Sequence, residues 1–296
     1  MGPAAFGLIP LEGSAPPEFG VQAFDSRPLF PSSVWTACHG EGSLPASCAE
    51  ASSTWTDVWF TNHIAQAVIA AVAVIVFWLV VVWRPKVIPG KRQFVGEYLY
   101  DMIRNGVARD IIGRDYQKYV PYLLALFTFI LVNNLFGQTF LFMFPTFSKI
   151  GFAWGLAGAS WILYNAAGIK RHGLAGYFKN MTVPHGVPAP LLILVAPLEF
   201  ISNFITRPLT LGLRLFANLF AGHLVVMVFV VGGSWLLLAT SASSAGYSPI
   251  WNVAGGLALL LSFFVFAIEL LVACLQAYIF TVLTAQYVSS SLSEAH

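Results

Sequence analysis

From Ile64 to Trp83 the chain runs for twenty residues with a single polar side chain, Gln66. At 1.5 Å per residue such a run is long enough to span a hydrocarbon core of about 30 Å and reads as a first spanning helix. The run therefore commits the chain to a bilayer. The rest of the sequence agrees: 57% of its 296 residues are hydrophobic and only 9% are charged. That balance excludes an ordinary soluble domain. A net charge of +2 gives no footing for nucleic-acid binding. We find no phosphate-cradling glycine loop, no metal-ligand Cys/His spacing and no nucleophile elbow, so neither a cofactor nor a metal is expected.

Apolar length and charge divide the chain into a polar N-terminal tail, 1–57, and a membrane domain, 58–296. The tail is rich in Pro, Ser, Gly and Ala, lacks periodicity, and has no Lys or Arg ahead of an apolar core, so it does not read as a secretory signal. The predicted spans are about 62–83, 120–144 (stopped by Pro145), 150–169, 191–238 and 250–288. The third is rich in Gly and Ala, which let helices approach closely. Between Gln93 and Tyr119, Phe94, Tyr98 and Met102 alternate with Glu97, Asp101 and Arg104 at helical spacing, as on a helix lying on the membrane surface. The segment Lys170 to Pro190 reads as a polar loop. The last two spans would be roughly 55 to 70 Å long if unbroken, which requires tilt, a bend, or a break near Gly232-Gly233. The expected fold is thus an all-α polytopic membrane protein with about five embedded helices, the last two long and tilted, plus one amphipathic surface helix.

Eleven of the fifteen Lys and Arg residues fall in two segments, 84–118 and 170–179, while the first 57 residues carry six carboxylates. By the positive-inside rule both basic segments face the cytoplasm. The N-terminus is then outside and the C-terminus, five crossings later, inside. Cys38 and Cys48 sit in the outward tail, where a disulfide and two free thiols are both open readings. Cys274, within an apolar helix, reads as a small packing residue.

The polar residues of the last two spans carry the chemistry. Along the fourth come Glu199, Ser202, Asn203, Arg207, Arg214, Asn218 and His223; along the fifth, Glu269 and Gln276. An arginine at mid-bilayer costs about 2.5 to 3.5 kcal/mol, so it normally faces protein or water and marks an ion or substrate path. On a helix Arg207, Arg214 and Asn218 fall within about 40° of one another, and Glu269 and Gln276, two turns apart, share a face. His223 with Glu269 as a partner suits a proton relay, because an imidazole titrates near neutral pH. Gly212 and Gly222 read as close-packing positions. Two functional classes fit this set: a proton channel, and a proton-coupled secondary transporter in which Arg214 binds an anionic substrate. The second should show repeated halves, and none is evident.

The stretch Arg207-Pro-Leu-Thr-Leu-Gly-Leu-Arg-Leu-Phe-Ala-Asn-Leu-Phe-Ala-Gly-His223, with Leu275-Gln-Ala-Tyr-Ile-Phe-Thr-Val-Leu283 and Asn133-Asn-Leu-Phe-Gly137, closely resembles subunit a of the F-type ATP synthases. The resemblance extends over about residues 60 to 290 and leaves the long outward tail unaccounted for. It implies a non-catalytic proton-channel subunit of a bacterial plasma membrane, with a ring of c subunits, the b subunits of the peripheral stalk and the rest of the complex as partners. Arg214 would be the arginine facing the c ring. Asn218, His223, Glu269 and Gln276 match positions of the proton path, and Glu199 and Arg207 flank it toward the cytoplasm. The choice of H⁺ or Na⁺ would lie on the c subunit.

Overall fold

The computed structural model describes residues 61–83, 90–139, 146–182, 189–242 and 249–292. The polar tail with Cys38 and Cys48 lies outside them. Every regular element among the described residues is helical. The helices are α1 (Asn62–Val82), α2 (Lys91–Ile103), α3 (Val120–Gly137), α4 (Ile150–Thr182), α5 (Ala189–Ile201), α6 (Arg207–Ala242) and α7 (Pro249–Leu292).

Four stretches are long and apolar enough to cross a membrane: His63–Val82, Val120–Gly137, Leu194–Leu237 and Ile250–Leu292. The fifth expected span, 150–169, is helical within α4 but is not among these four; Gly151, Gly155, Gly158, Ser160 and Asn165 dilute its apolar character. α1 shows how lipid reverses the usual burial pattern. Its narrow buried stripe is Thr61, His63, Gln66, Ala70 and Val74, while Val68, Ile69, Val72, Ile75, Val76 and Leu79 are exposed. In hydrocarbon an exposed aliphatic side chain costs nothing, so the polar and small residues are the ones turned inward.

Several boundaries differ from expectation. α3 stops at Gly137, followed by a turn at Gln138, where the sequence suggested a helix to Phe144. The segment read as the loop 170–190 is helical through Thr182, with a sharp kink at Gly173, whose φ of 72° only glycine adopts without strain. No break occurs at Gly232-Gly233, since α6 runs through both. Instead the regular hydrogen bonding is interrupted earlier, by a π-helical turn, Ser202–Thr206, between α5 and α6. In that register Arg207 N–H bonds Ser202 O, and the next donor in the series would be Pro208, which has none. The carbonyl it leaves, on Asn203, accepts a bond from Tyr164 Oη at 3.3 Å. A second π turn, Arg104–Arg109, follows α2, and a 3-10 turn, Gly113–Lys118, leads into α3.

The chain divides into two units. Among the described residues the larger covers 61–219 and 273–292. Its core is Ile103, Val107, Leu123, Ile130, Leu211, Leu215 and Phe280, all at most 2% exposed. Polar contacts tie its helices: Asn134 Nδ2 donates to Ala273 O at 3.0 Å, and the Tyr122 and Ser160 hydroxyls meet at 3.0 Å. At the polar end Arg171 pairs with Asp115 at 3.0 Å, and Lys118 with the same carboxylate at 2.9 Å. Lys118 first, then Arg171, holds the Asp115 carboxyl below its ordinary range.

The helical part of the other unit is Phe220–Val272, the end of α6 and the beginning of α7. A Cβ on Gly233 would lie 3.1 Å from Gly255 O, and one on Gly255 would lie 2.9 Å from Gly233 O. Glycines placed opposite each other let the two backbones approach, so Gly233 serves close packing.

Candidate functional site

Two groups of polar side chains stand out, one in each unit. In the larger unit, α6 turns Leu211, Gly212, Leu215 and Leu219 inward. The inward positions recur every four residues, so the positions between them must face away. Thr210, Leu213, Arg214 and Ala217 are exposed, and Asn218 is half-buried at the edge of that face. Gly212 seats the helix: a Cβ there would meet Trp154 Cδ1 at 2.9 Å and Ala157 Cβ at 3.3 Å, both on α4. Close packing on one side thus fixes Arg214 on the other. Among the described residues Arg214 has no ion-pair partner.

Glu199 and Arg207 lie on either side of the π turn. Asn203 bridges the region, donating from Nδ2 to Met181 O at 2.9 Å and to Glu199 Oε2 at 3.3 Å. Arg207 sits 5.2 Å over the Tyr287 ring and donates to Ser290 Oγ at 3.4 Å, a cation held by an aromatic face and a hydroxyl of α7. The sequence singled out Glu199 and Arg207 but not Tyr164, Tyr287 or Ser290. Glutamate and asparagine four residues apart were a legible pair; the aromatic partners, far along the chain, gave no local signal. Gln276 is buried, 4% exposed, and its Nε2 has no hydrogen-bond partner among the described residues. Cys274, expected to pack, is exposed instead.

In the other unit the imidazole of His223 on α6 faces the carboxylate of Glu269 on α7, Nδ1 against Oε1. Both side chains are largely buried, at 12% and 7% exposure. Buried charge needs such a partner. Gly222 makes the meeting possible: a Cβ there would stand 2.8 Å from Glu269 Oε1 and 3.0 Å from its Cδ. The glycine read as a helix-packing residue therefore makes room for the Glu269 carboxylate.

Comparison with known proteins identifies the helical framework that carries these groups. The family model for the ATP synthase A chain matches residues 64–289. The chain belongs to this family. ATP synthase subunit a of a Nocardioides species is 47% identical over 236 residues, covering 80% of this chain and 83% of that protein. Subunit a of Pseudarthrobacter chlorophenolicus is 44% identical over 234 residues, covering 79% and 85%, and that of Streptomyces lividans 34% over 242 residues, covering 81% and 83%. As a member of the family the chain is a non-catalytic, proton-conducting membrane subunit of an F-type ATP synthase, and a multi-pass protein of a bacterial plasma membrane.

The Gly222 geometry makes a specific prediction. Gly222→Ala places a methyl where the carboxylate rests, and the atoms it meets are the movable end of Glu269, so the helices can stay packed. The variant should accumulate and assemble normally while proton flow through it falls severalfold. Unchanged proton flow in a passive-permeability assay would show that the carboxylate needs no such space.

Proposed function

We propose that this chain forms two offset proton half-channels against a ring of c subunits and so couples proton flow to rotation. The observation that carries the reading is the exposed, unpaired Arg214 on an apolar helix face. A guanidinium so placed costs several kcal/mol in lipid, and a carboxylate on a neighbouring subunit removes most of that cost. Such a carboxylate must be neutral where it meets lipid and can ionise beside a fixed cation. Arg214, which stays charged, favours the ionised form as each carboxylate passes and bars a proton from hopping directly between the two accesses. Each proton crossing 100 mV supplies about 2.3 kcal/mol to the rotation.

In this reading His223 and Glu269 hand protons along the access on the outer side, with Asn218 and Gln276 as polar company. Glu199, Asn203 and Arg207 line the access on the cytoplasmic side. The b subunits of the peripheral stalk would hold the chain against rotation. The N-terminus is outside and the C-terminus inside, as the distribution of basic residues supports.

Arg214→Ala should abolish ATP-driven proton pumping in inverted vesicles. Arg214→Lys should fail as well, because a buried ammonium can lose its proton and lacks the planar fork. Normal pumping by either variant would refute the central role.

Orientation is testable with a cysteine at Ser293 in a background lacking the native cysteines. It should resist an impermeant thiol reagent in intact cells and react in inverted vesicles; the reverse pattern would invert the topology.

His223→Ala and Glu269→Ala should each slow proton flow, and the double variant should lose less than the product of the two effects, as residues acting as a unit do. The exchange His223→Glu with Glu269→His should retain more activity than either half alone. Independent losses with no recovery in the exchange would assign the two groups separate structural roles.

A further inference from the structure

A cleft of about 420 Å³ opens between α1 and α2, lined by Phe77, Val80, Val81, Lys91, Arg92 and Val95. Its chemistry is divided. Four lining residues are apolar and two are cations adjacent in the first turn of α2. Lys91 and Arg92 are exposed and have no ion-pair partner among the described residues. The nearest acid along the helix, Glu97, already accepts a bond from Gln93 Nε2 at 2.6 Å. The Gly90 N-cap has no side-chain hydrogen bond among the described residues, so the first amides of α2 lack a side-chain cap.

The surroundings extend the same pattern. Val80 is 51% exposed and Val95 48%, so the cleft is continuous with the lipid-facing surface of α1 and with the apolar face of α2, where Phe94 and Tyr98 are exposed too. The floor is fixed: a Cβ on Gly96 would collide with Val81, so α2 lies directly on α1 beside the cleft.

We propose that this cleft holds an anionic phospholipid of the leaflet that carries α2. The phosphate lies against Lys91, Arg92 and the uncapped amides, which suit an anion by charge and by hydrogen bonding. An acyl chain lies along Phe77, Val80, Val81 and Val95. The occupant is a lipid and not a soluble anion because the apolar part of the cleft is continuous with the bilayer.

The test uses the assembled complex in phosphatidylcholine vesicles doped with a diazirine-bearing phosphatidylglycerol or, at equal mole fraction, the matching phosphatidylcholine, with the labelled peptides mapped. The anionic probe should label residues 77–95 more than the zwitterionic one, by roughly 5-fold per cation and so roughly 25-fold in all. Lys91→Gln with Arg92→Gln should bring labelling down to the zwitterionic level, and Lys91→Arg with Arg92→Lys should keep the preference. Val95→Phe, which fills the cleft and leaves both cations, should also lower labelling by the anionic probe. Equal labelling by the two lipids, a preference that survives the glutamine pair, or displacement of the lipid by inorganic phosphate would overturn the proposal. The last result would assign the cations to a soluble anion.

Discussion

Hydrocarbon offers no hydrogen bonds, so every polar group within these helices has to be satisfied by the protein, and most of the structure follows from that demand. The simplest solution is local. Thr128, Asn133, Asn165, Thr281 and Thr284 each bond the carbonyl four residues back, folding a polar tip onto its own helix. A second solution works between helices. Asn134 reaches Ala273 O, Tyr164 reaches Asn203 O, and Asn203 reaches Met181 O, so each satisfied group also becomes a clamp. The π turn at Ser202–Thr206 belongs with these, because Pro208 leaves a carbonyl that the Tyr164 hydroxyl meets.

Glycines do two kinds of work in this setting. Gly233 and Gly255 let backbones approach, and Gly212 seats α6 on Trp154 and Ala157. Gly222 makes room for a carboxylate. The sequence around Gly212 and Gly222 looks alike, each a glycine among leucines and phenylalanines in one helix. What separates them is the residue opposite: an indole and an alanine in one case, Glu269 in the other. That difference is tertiary, which is why a reading of the chain alone gave both positions the same role.

The helices themselves were legible, because apolar runs of this length have one stable form in a bilayer and their ends carry Pro, Gly or charge. The starts of α1, α3, α4, α5 and α7 were read within a residue or two. Misreadings came where local composition and tertiary packing disagree. Lys170, Arg171 and His172 suggested a loop, yet α4 continues to Thr182, where Tyr177 on its far side bonds Asn165 at 2.8 Å and packs against Gly168. Gly232-Gly233 suggested tilt, a bend or a break, yet no break occurs there and Gly255 lies opposite Gly233. Cys274 suggested packing, yet its neighbours Ala273, Gln276 and Ala277 take the buried face and leave it exposed. Of the polar residues singled out, the chain pairs His223 with Glu269 and holds Arg207 and Glu199 through partners that only the fold brings near.

Among the charged side chains singled out in α5 to α7, Arg214 is the one without a partner among the described residues, and the contrast with Arg207 gives it meaning. Both are arginines of one helix, seven residues apart. Arg207 is held by Tyr287 and Ser290, a cation fixed in place by neutral groups. Nothing within the described residues does the same for Arg214, although a tyrosine or a carboxylate on α4 or α7 would have been the cheaper design for a static structure. A resident carboxylate would hold the guanidinium tightly in low dielectric and would compete with any ligand arriving from outside. Leaving the cation unpaired keeps its attraction available, and in the mechanism proposed above the cost of about 2.5 to 3.5 kcal/mol is recovered when an acid from another subunit faces it. The proposed replacement of that acid by the next one at every step needs a fixed cation with no resident partner, and among the described residues the packing of α6 leaves Arg214 exposed and without an ion pair.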